Sequence, residues 1–238
     1  MFKSFELTEL NKNYKRSKPK VLRVLDFLFY AFLFVSVIYL LFCLTFVQAR
    51  VIGPSMQPTF NKNLSYSEDA ESSIYQDIVY ANKLDKGSNG DIVLLAVDNE
   101  IIIKRVVATQ GQVVILKKQS DRYFYYFVGD TYQSAKQVDE RYILNRQDMN
   151  LSYFNSFCFD DPDLQVRKNI NVIENDKEAY LIVREGCSFV VGDNRLVSRD
   201  STSFGCVKND SILGKVAFYY EYNQTFLGFI WQQICSIF

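Results

Sequence analysis

Glu100-Ile-Ile-Ile-Lys-Arg-Val-Val-Ala108 decides how this 238-residue chain is read. Its β-branched residues suit a pleated, half-buried surface better than a helix. Alternation along a strand puts Lys104 on the face of Ile102 and Val106, with Arg105 on the opposite face. Similar short runs lie around it: Asp77–Asn82, Asp91–Val97, Gln112–Leu116, Tyr123–Val128, Tyr180–Val183, Ser188–Val191 and Ile212–Tyr222. Bounded by polar breaks, they read as strands. Gly87–Gly90 and Val128–Asp130 read as turns. This part of the chain is therefore expected to be all-β, a barrel-like or folded sheet. Two segments interrupt the pattern. Residues 61–76 are polar (NKNLSYSEDAESSIYQ) and read as a mobile loop. Residues 117–177 begin aromatic, turn rich in Asn and Asp, and read as an inserted subsidiary lobe.

Before the strands, Phe27 to Val47 (FLFYAFLFVSVIYLLFCLTFV) runs 21 residues without a charge. At ~1.5 Å per residue it is long enough for one hydrocarbon core. A secretory signal peptide would carry a shorter apolar region, and a buried soluble helix would show a polar stripe. The reading is a transmembrane helix over 27–47, preceded by a basic segment over 1–26 and followed by a β domain over 48–238. Residues 1–26 carry a net charge of +4 and residues 51–238 a net of −5, which the overall balance of 27 basic and 27 acidic residues conceals. The positive-inside rule then holds the N-terminus in the cytoplasm and places the β domain outside, with the lipid bilayer as a partner. An external acidic domain without a basic stripe is not suited to nucleic acid.

The chain has no histidine. That excludes Ser-His-Asp and Cys-His catalysis and HExxH zinc sites. A hydrolase built from these residues must move its proton with another group, and no metal or cofactor is called for.

Three stretches carry chemistry. In Val51-Ile-Gly-Pro-Ser-Met-Gln-Pro-Thr59, Ser55 lies on a turn broken by Gly53, Pro54 and Pro58. Alone, a turn serine usually just bonds the backbone. In the opening strand, Lys104 either snorkels to water or is buried. Burial would disfavour its ammonium, lower its pKa from about 10.4, and leave an amine able to take a serine proton. The third stretch, Val190-Val-Gly-Asp-Asn-Arg-Leu-Val-Ser-Arg-Asp-Ser201, runs from a strand into a tight polar loop whose Ser198, Asp200 and Ser201 can orient a neighbouring amine.

In this order, behind an apolar N-terminal segment, the three stretches resemble the bacterial type I signal peptidase (leader peptidase) family. The resemblance rests on SMQPTF, DIVYANK, GDIVLL, IKRVVATQG and GDNR…S-x-DS…G-x-V. It implies a serine endopeptidase that removes signal peptides from exported preproteins, near the protein export channel of a bacterial cytoplasmic membrane. By position, Ser55 would be the nucleophile and Lys104 the general base. Ser198 would hydrogen-bond and aim the lysine; Asp200 and Arg105, with Asp193 a weaker candidate, would brace the loop. The Ser55 backbone N–H would serve the oxyanion. Gly53 stands where some members have a hydroxyl, so its backbone or a water would supply the second donor. Val51, Ile52, Met56, Ile102 and Ile103 align with substrate-pocket positions. The branch that uses histidine in place of lysine is excluded.

This chain also departs from the family pattern. Ala108-Thr-Gln-Gly-Gln112 replaces the usual Leu-Pro-Gly-Asp, and Thr202 stands where an arginine would pair with Asp200, leaving Arg195 or Arg199 as its partner. Cys158, Cys187 and Cys206 make an odd external set whose pairing stays open; Cys187 and Cys206 flank the loop, and a bridge between them is one alternative in an oxidising compartment. The apolar tail 226–238 either lies in the membrane interface through Trp231 or packs on the chain's own sheet. Two other readings are another Ser-Lys protease and a catalytically inactive, membrane-anchored peptide-binding β domain.

Overall fold

The computed structural model describes residues 19–62, 76–119, 123–143, 178–222 and 224–235. These form two units, one ending at Thr45 and one beginning at Phe46. The first is helix α1, Lys20–Thr45. Pro19 precedes it, where a missing N–H costs nothing. With no buried residue, α1 exposes an apolar surface all round, of mean hydropathy 2.6 over its best 18 residues. Its hydroxyls turn back on the helix: Ser36 donates to the Phe32 carbonyl and Thr45 to that of Leu41, each at 2.8 Å.

The second unit is mainly β, as the strand pattern predicts. Its larger sheet holds β1 (Phe46–Arg50), β2 (Ile78–Asn82), β3 (Ile92–Val97), β4 (Glu100–Thr109), β9 (Cys187–Val191), β10 (Val207–Lys208) and β11 (Ile212–Tyr220). The spatial order is β1-β2-β11-β3-β4-β9-β10. Its smaller sheet holds β5 (Val113–Lys118), β6 (Phe124–Gly129), β7 (Lys136–Gln137) and β8 (Glu178–Ile182), in the order β7-β6-β5-β8. Every pairing is antiparallel. A short helix α2 (Ser201–Phe204) follows the polar loop, and α3 (Phe226–Cys235) follows β11.

Three elements differ from the sequence reading. Phe46 and Val47 belong to β1, not to the helix, because they pair with Asn82 and Ala81 of β2. The strands β7 and β10 are two residues each, too short to show alternation. The smaller sheet takes in β5, so the second lobe begins at Val113, ahead of the expected 117. Most of the polar segment 61–76 and most of the lobe, residues 63–75, 120–122 and 144–177, lie outside the described residues, as does Cys158.

The core has three parts. Val51, Met56, Phe60, Val79, Ala81, Leu94 and Ile103 pack on one face of the larger sheet. Val93, Leu95, Val106, Val190, Val207 and Ile212 form a second cluster. The third joins the two sheets through Val107, Ala108, Val114, Leu116, Phe124, Tyr126, Leu181, Phe189 and Val191. A bulge between Val106 and Ala108 lets β4 serve both sheets. The extra residue breaks the alternation, so the consecutive Val107 and Ala108 both enter the inter-sheet core. Cys187 and Cys206 are buried in that core as thiols and form no bridge with each other.

Candidate active site

β4 lies between β3 and β9, so its middle residues are covered from both sides. Lys104 stands opposite Val93 and is 3% exposed. It does not snorkel. The only polar side chain within its reach by hydrogen bond among the described residues is Ser55, with Nζ 3.0 Å from Oγ. Burial lowers the pKa of the amine below that of an ordinary lysine, against the opposing pull of the Asp200 and Asp193 carboxylates.

Ser55 is carried on a turn between β1 and β2 that is tied down from several directions. Gly53 takes a left-handed φ of 83°, which a side chain would resist. Gln57 donates its N–H to the Pro54 carbonyl at 3.0 Å and Phe60 to that of Met56 at 3.1 Å. Asn61 and Asp77 grip each other: the Asn61 N–H donates to Asp77 Oδ2 at 2.7 Å, and the Asp77 N–H to Asn61 Oδ1 at 3.0 Å. The Asn61 side-chain amide also donates to the Val51 carbonyl at 2.7 Å. Neither the Ser55 nor the Gly53 N–H has an acceptor among the described residues, so both are available to an oxyanion.

The loop Gly192–Asp200 closes over this turn. The Asn194 N–H donates to the Ser55 carbonyl at 3.0 Å. Gly192 leaves no space for a side chain: a Cβ there would come 2.2 Å from Ser198 Oγ and 2.6 Å from the Ser55 carbonyl oxygen. Asp193, fully buried, is gripped by Arg105 through Nε at 2.8 Å and Nη2 at 2.6 Å, and it accepts a hydrogen bond from Thr59. Asp193 is thus the direct partner of Arg105, a larger part than the sequence assigned it.

Asp200 caps α2 by accepting the Thr202 N–H at 3.1 Å and the Thr202 hydroxyl at 2.8 Å. Its other oxygen accepts the Gly192 N–H at 2.9 Å. The expected arginine partner is therefore replaced by Thr202 itself. Arg199 pairs with Asp98 on the surface and Arg195 with Glu140 in the interior. Ser201 accepts the Val190 N–H at 2.9 Å, fastening the loop's end to β9. Ser198 departs from expectation: its Oγ makes no bond to Lys104 and has no hydrogen-bond partner among the described residues. It lies against Gly192 instead.

A cavity of about 100 Å³ opens beside the Ser55–Lys104 pair. Val51, Ile52, Ile102 and Ile103, four of the five expected pocket residues, line this cavity together with Ala49, Arg50, Leu94 and Ile101. Met56 does not. It is 0% exposed and packs in the core with Phe60 and Val79, because the turn points it away from the cavity. The sequence gives no signal for Thr59 or for the partners of Arg195. Ala49 and Arg50 were hidden by the strand missed at β1.

The family model described as signal peptidase, peptidase S26, matches residues 23–221. The chain belongs to this family. It is a hydrolase, a serine protease of the signal peptidase I type. Signal peptidase IB of Staphylococcus aureus is 30% identical over 167 residues, covering 70% of this chain and 73% of the relative. Signal peptidase I V of Bacillus subtilis is 27% identical over 173 residues, covering 72% and 84%. The crystal structure of a signal peptidase I from Enterococcus faecalis V583 is 23% identical, with a TM-score of 0.32, covering 55% of this chain and 97% of that one.

Proposed function

We propose that this signal peptidase is anchored in a membrane by α1 and cleaves signal peptides from exported preproteins with Ser55 as nucleophile and neutral Lys104 as general base. The observation that carries this reading is the 3.0 Å approach of Lys104 Nζ to Ser55 Oγ, with the lysine buried. A buried amine held below its ordinary pKa accepts the hydroxyl proton as Oγ attacks the scissile carbonyl. The resulting ammonium protonates the leaving amine, and a water repeats the sequence on the acyl-enzyme. The Ser55 and Gly53 N–H groups receive the oxyanion. Asp193, Arg105 and Asp200 act on the pair only through the loop they hold.

The substrate binds extended along residues 100–104 of β4, whose second edge is left open because β9 pairs with β4 only from Arg105 onward, with small side chains entering the cavity lined by Ile101, Ile103 and Leu94. A cavity of about 100 Å³ admits alanine-sized groups and resists aromatic ones. The basic residues before α1 hold its N-terminal end in the cytoplasm, which places the β unit at the outer face of the bilayer, near the protein export channel.

The test is cleavage of a preprotein bearing an Ala-x-Ala site by the full chain in detergent micelles. Ser55→Ala and Lys104→Ala are each expected to lower kcat by roughly 10³-fold or more. Near-normal cleavage by either variant overturns the assignment of the pair.

A further inference from the structure

Among the described residues, the second sheet meets the candidate active site through Tyr126 of β6 and through the short segment after β7, residues 139–142. Glu140 is buried there, its side chain fully enclosed, and it pairs with Arg195 Nη1 at 2.6 Å. Arg195, itself 7% exposed, donates Nε–H to the Gly192 carbonyl at 2.9 Å. Its guanidinium also lies over the Tyr126 ring of β6, 4.8 Å from the centroid. Two residues past Glu140, Tyr142 takes the Arg105 guanidinium over its ring at 4.0 Å. The two arginines beside the Ser55 turn are thus both seated on the second sheet or the segment leading from it.

Gly192 is where this matters. It has no slack against Ser198 or the Ser55 carbonyl, and the residue two further on donates to that same carbonyl. Gly192 and the Asn194 N–H thus lie directly against the backbone of Ser55, which links the position of this loop to that of the Ser55 side chain. A buried ion pair contributes little to stability relative to apolar side chains of similar volume, but the attraction of Glu140 Oε1 for Arg195 Nη1, 2.6 Å apart and enclosed, keeps the guanidinium where its Nε–H meets the Gly192 carbonyl. Placed between one sheet and the loop pressed on Ser55, the Glu140–Arg195 pair serves geometry.

We propose that Glu140 is a positioning residue for the Ser55–Lys104 pair, acting through Arg195 and the Gly192 carbonyl, so that the second sheet sets the alignment of the nucleophile. The proposal rests on the reading of Ser55 and Lys104 given above. It requires no contact between Glu140 and substrate.

The experiment compares full-length variants in micelles, each read as kcat and KM on the preprotein and as the rate at which a fluorophosphonate labels Ser55, per folded molecule. Glu140→Gln is expected to lower kcat and the labelling rate together by ~10- to 100-fold with KM within about twofold, as misplacement of a reacting atom does. Arg195→Met should do the same, and the double variant should be no worse than either single one, since both act through one carbonyl. Arg141→Ala, which removes an exposed ion pair with Asp139 on the same segment, should leave both rates unchanged. Should Glu140→Gln not fold, the apolar pair Glu140→Leu with Arg195→Met replaces it and is expected to fold yet remain slow. A folded Glu140→Gln, or a folded apolar pair, with kcat and labelling within twofold of the parent overturns the proposal. A preprotein-cleaving Ser55→Ala overturns the reading of the pair and this proposal with it, and is told apart because Ser55→Ala is inactive when only the Glu140 assignment fails.

Discussion

Lys104 is in conflict with its surroundings. Valine and isoleucine neighbours withhold the water an ammonium needs, while Asp200 and Asp193 favour keeping the proton. Desolvation wins, so the folded chain binds this proton less tightly than the unfolded chain does. Two consequences follow with definite sign. On the proposed mechanism, cleavage should rise with pH as Lys104 deprotonates, with a midpoint below the ordinary lysine value of about 10.4; a kcat profile flat from pH 6 to 10 would contradict it. Stability also rises with pH, from the depressed value up to about 10.4, because over that window the unfolded chain carries the extra proton. Lys104→Met removes this slope, and at neutral pH it should raise the midpoint of urea unfolding while abolishing cleavage. Arg105→Ala acts oppositely. It strands the buried Asp193 carboxylate and should destabilise the fold by about 3–5 kcal/mol, read from the same urea transition. Lys104 stood out as a charge inside a β-branched run, but Ser55 is by itself an ordinary turn serine, and both were singled out by the ordered set of three stretches and the family these resemble. The role of Asp193, the substitution of Thr202 for an arginine and the seat of Glu140 were not legible, since each depends on contacts between segments far apart in the chain.

At the scale of elements, the strands were legible wherever at least four alternating residues were present, and β1 was not. Its Phe46 and Val47 continue an apolar run, and only pairing with β2 separates them from the helix before it. The tail resolves into something the sequence left as two alternatives. Phe229 stacks on Phe218 at 5.8 Å and 14°, and Phe226 meets Tyr80 and Tyr220 at 5.9 and 6.1 Å. Helix α3 therefore packs on the outer face of β2 and β11, while Leu227 and Trp231 on its other side stay 79% and 68% exposed. Phe229→Ala opens this stack and should cost about 2 kcal/mol, less than a fully buried phenylalanine because the ring is half-buried. Trp231→Ala, which leaves the stack alone, should change the urea midpoint little.

For the whole molecule, the division at Phe46 separates what a membrane requires from what catalysis requires. Helix α1 satisfies its hydroxyls internally and buries nothing of its own, and the β unit carries its own three-part core. The proposed topology can be checked in intact cells. A single cysteine introduced at exposed Leu84, in a chain whose own cysteines are serine, should react with a membrane-impermeant thiol reagent, and one at Lys3 should not. Labelling of Lys3→Cys in unbroken cells would reverse the orientation. The mutual grip of Asn61 and Asp77 has a consequence of another kind. It joins the chain on either side of residues 62–76, so the separation of Asn61 and Asp77 is set by their own two hydrogen bonds. Closing a longer stretch adds only about 0.6 kcal/mol per doubling of length, and the clasp keeps the difference away from Ser55. A foreign peptide grafted between Lys62 and Gln76 should therefore leave cleavage and the urea midpoint unchanged, whereas Asn61→Ala, which opens the clasp, should lower both.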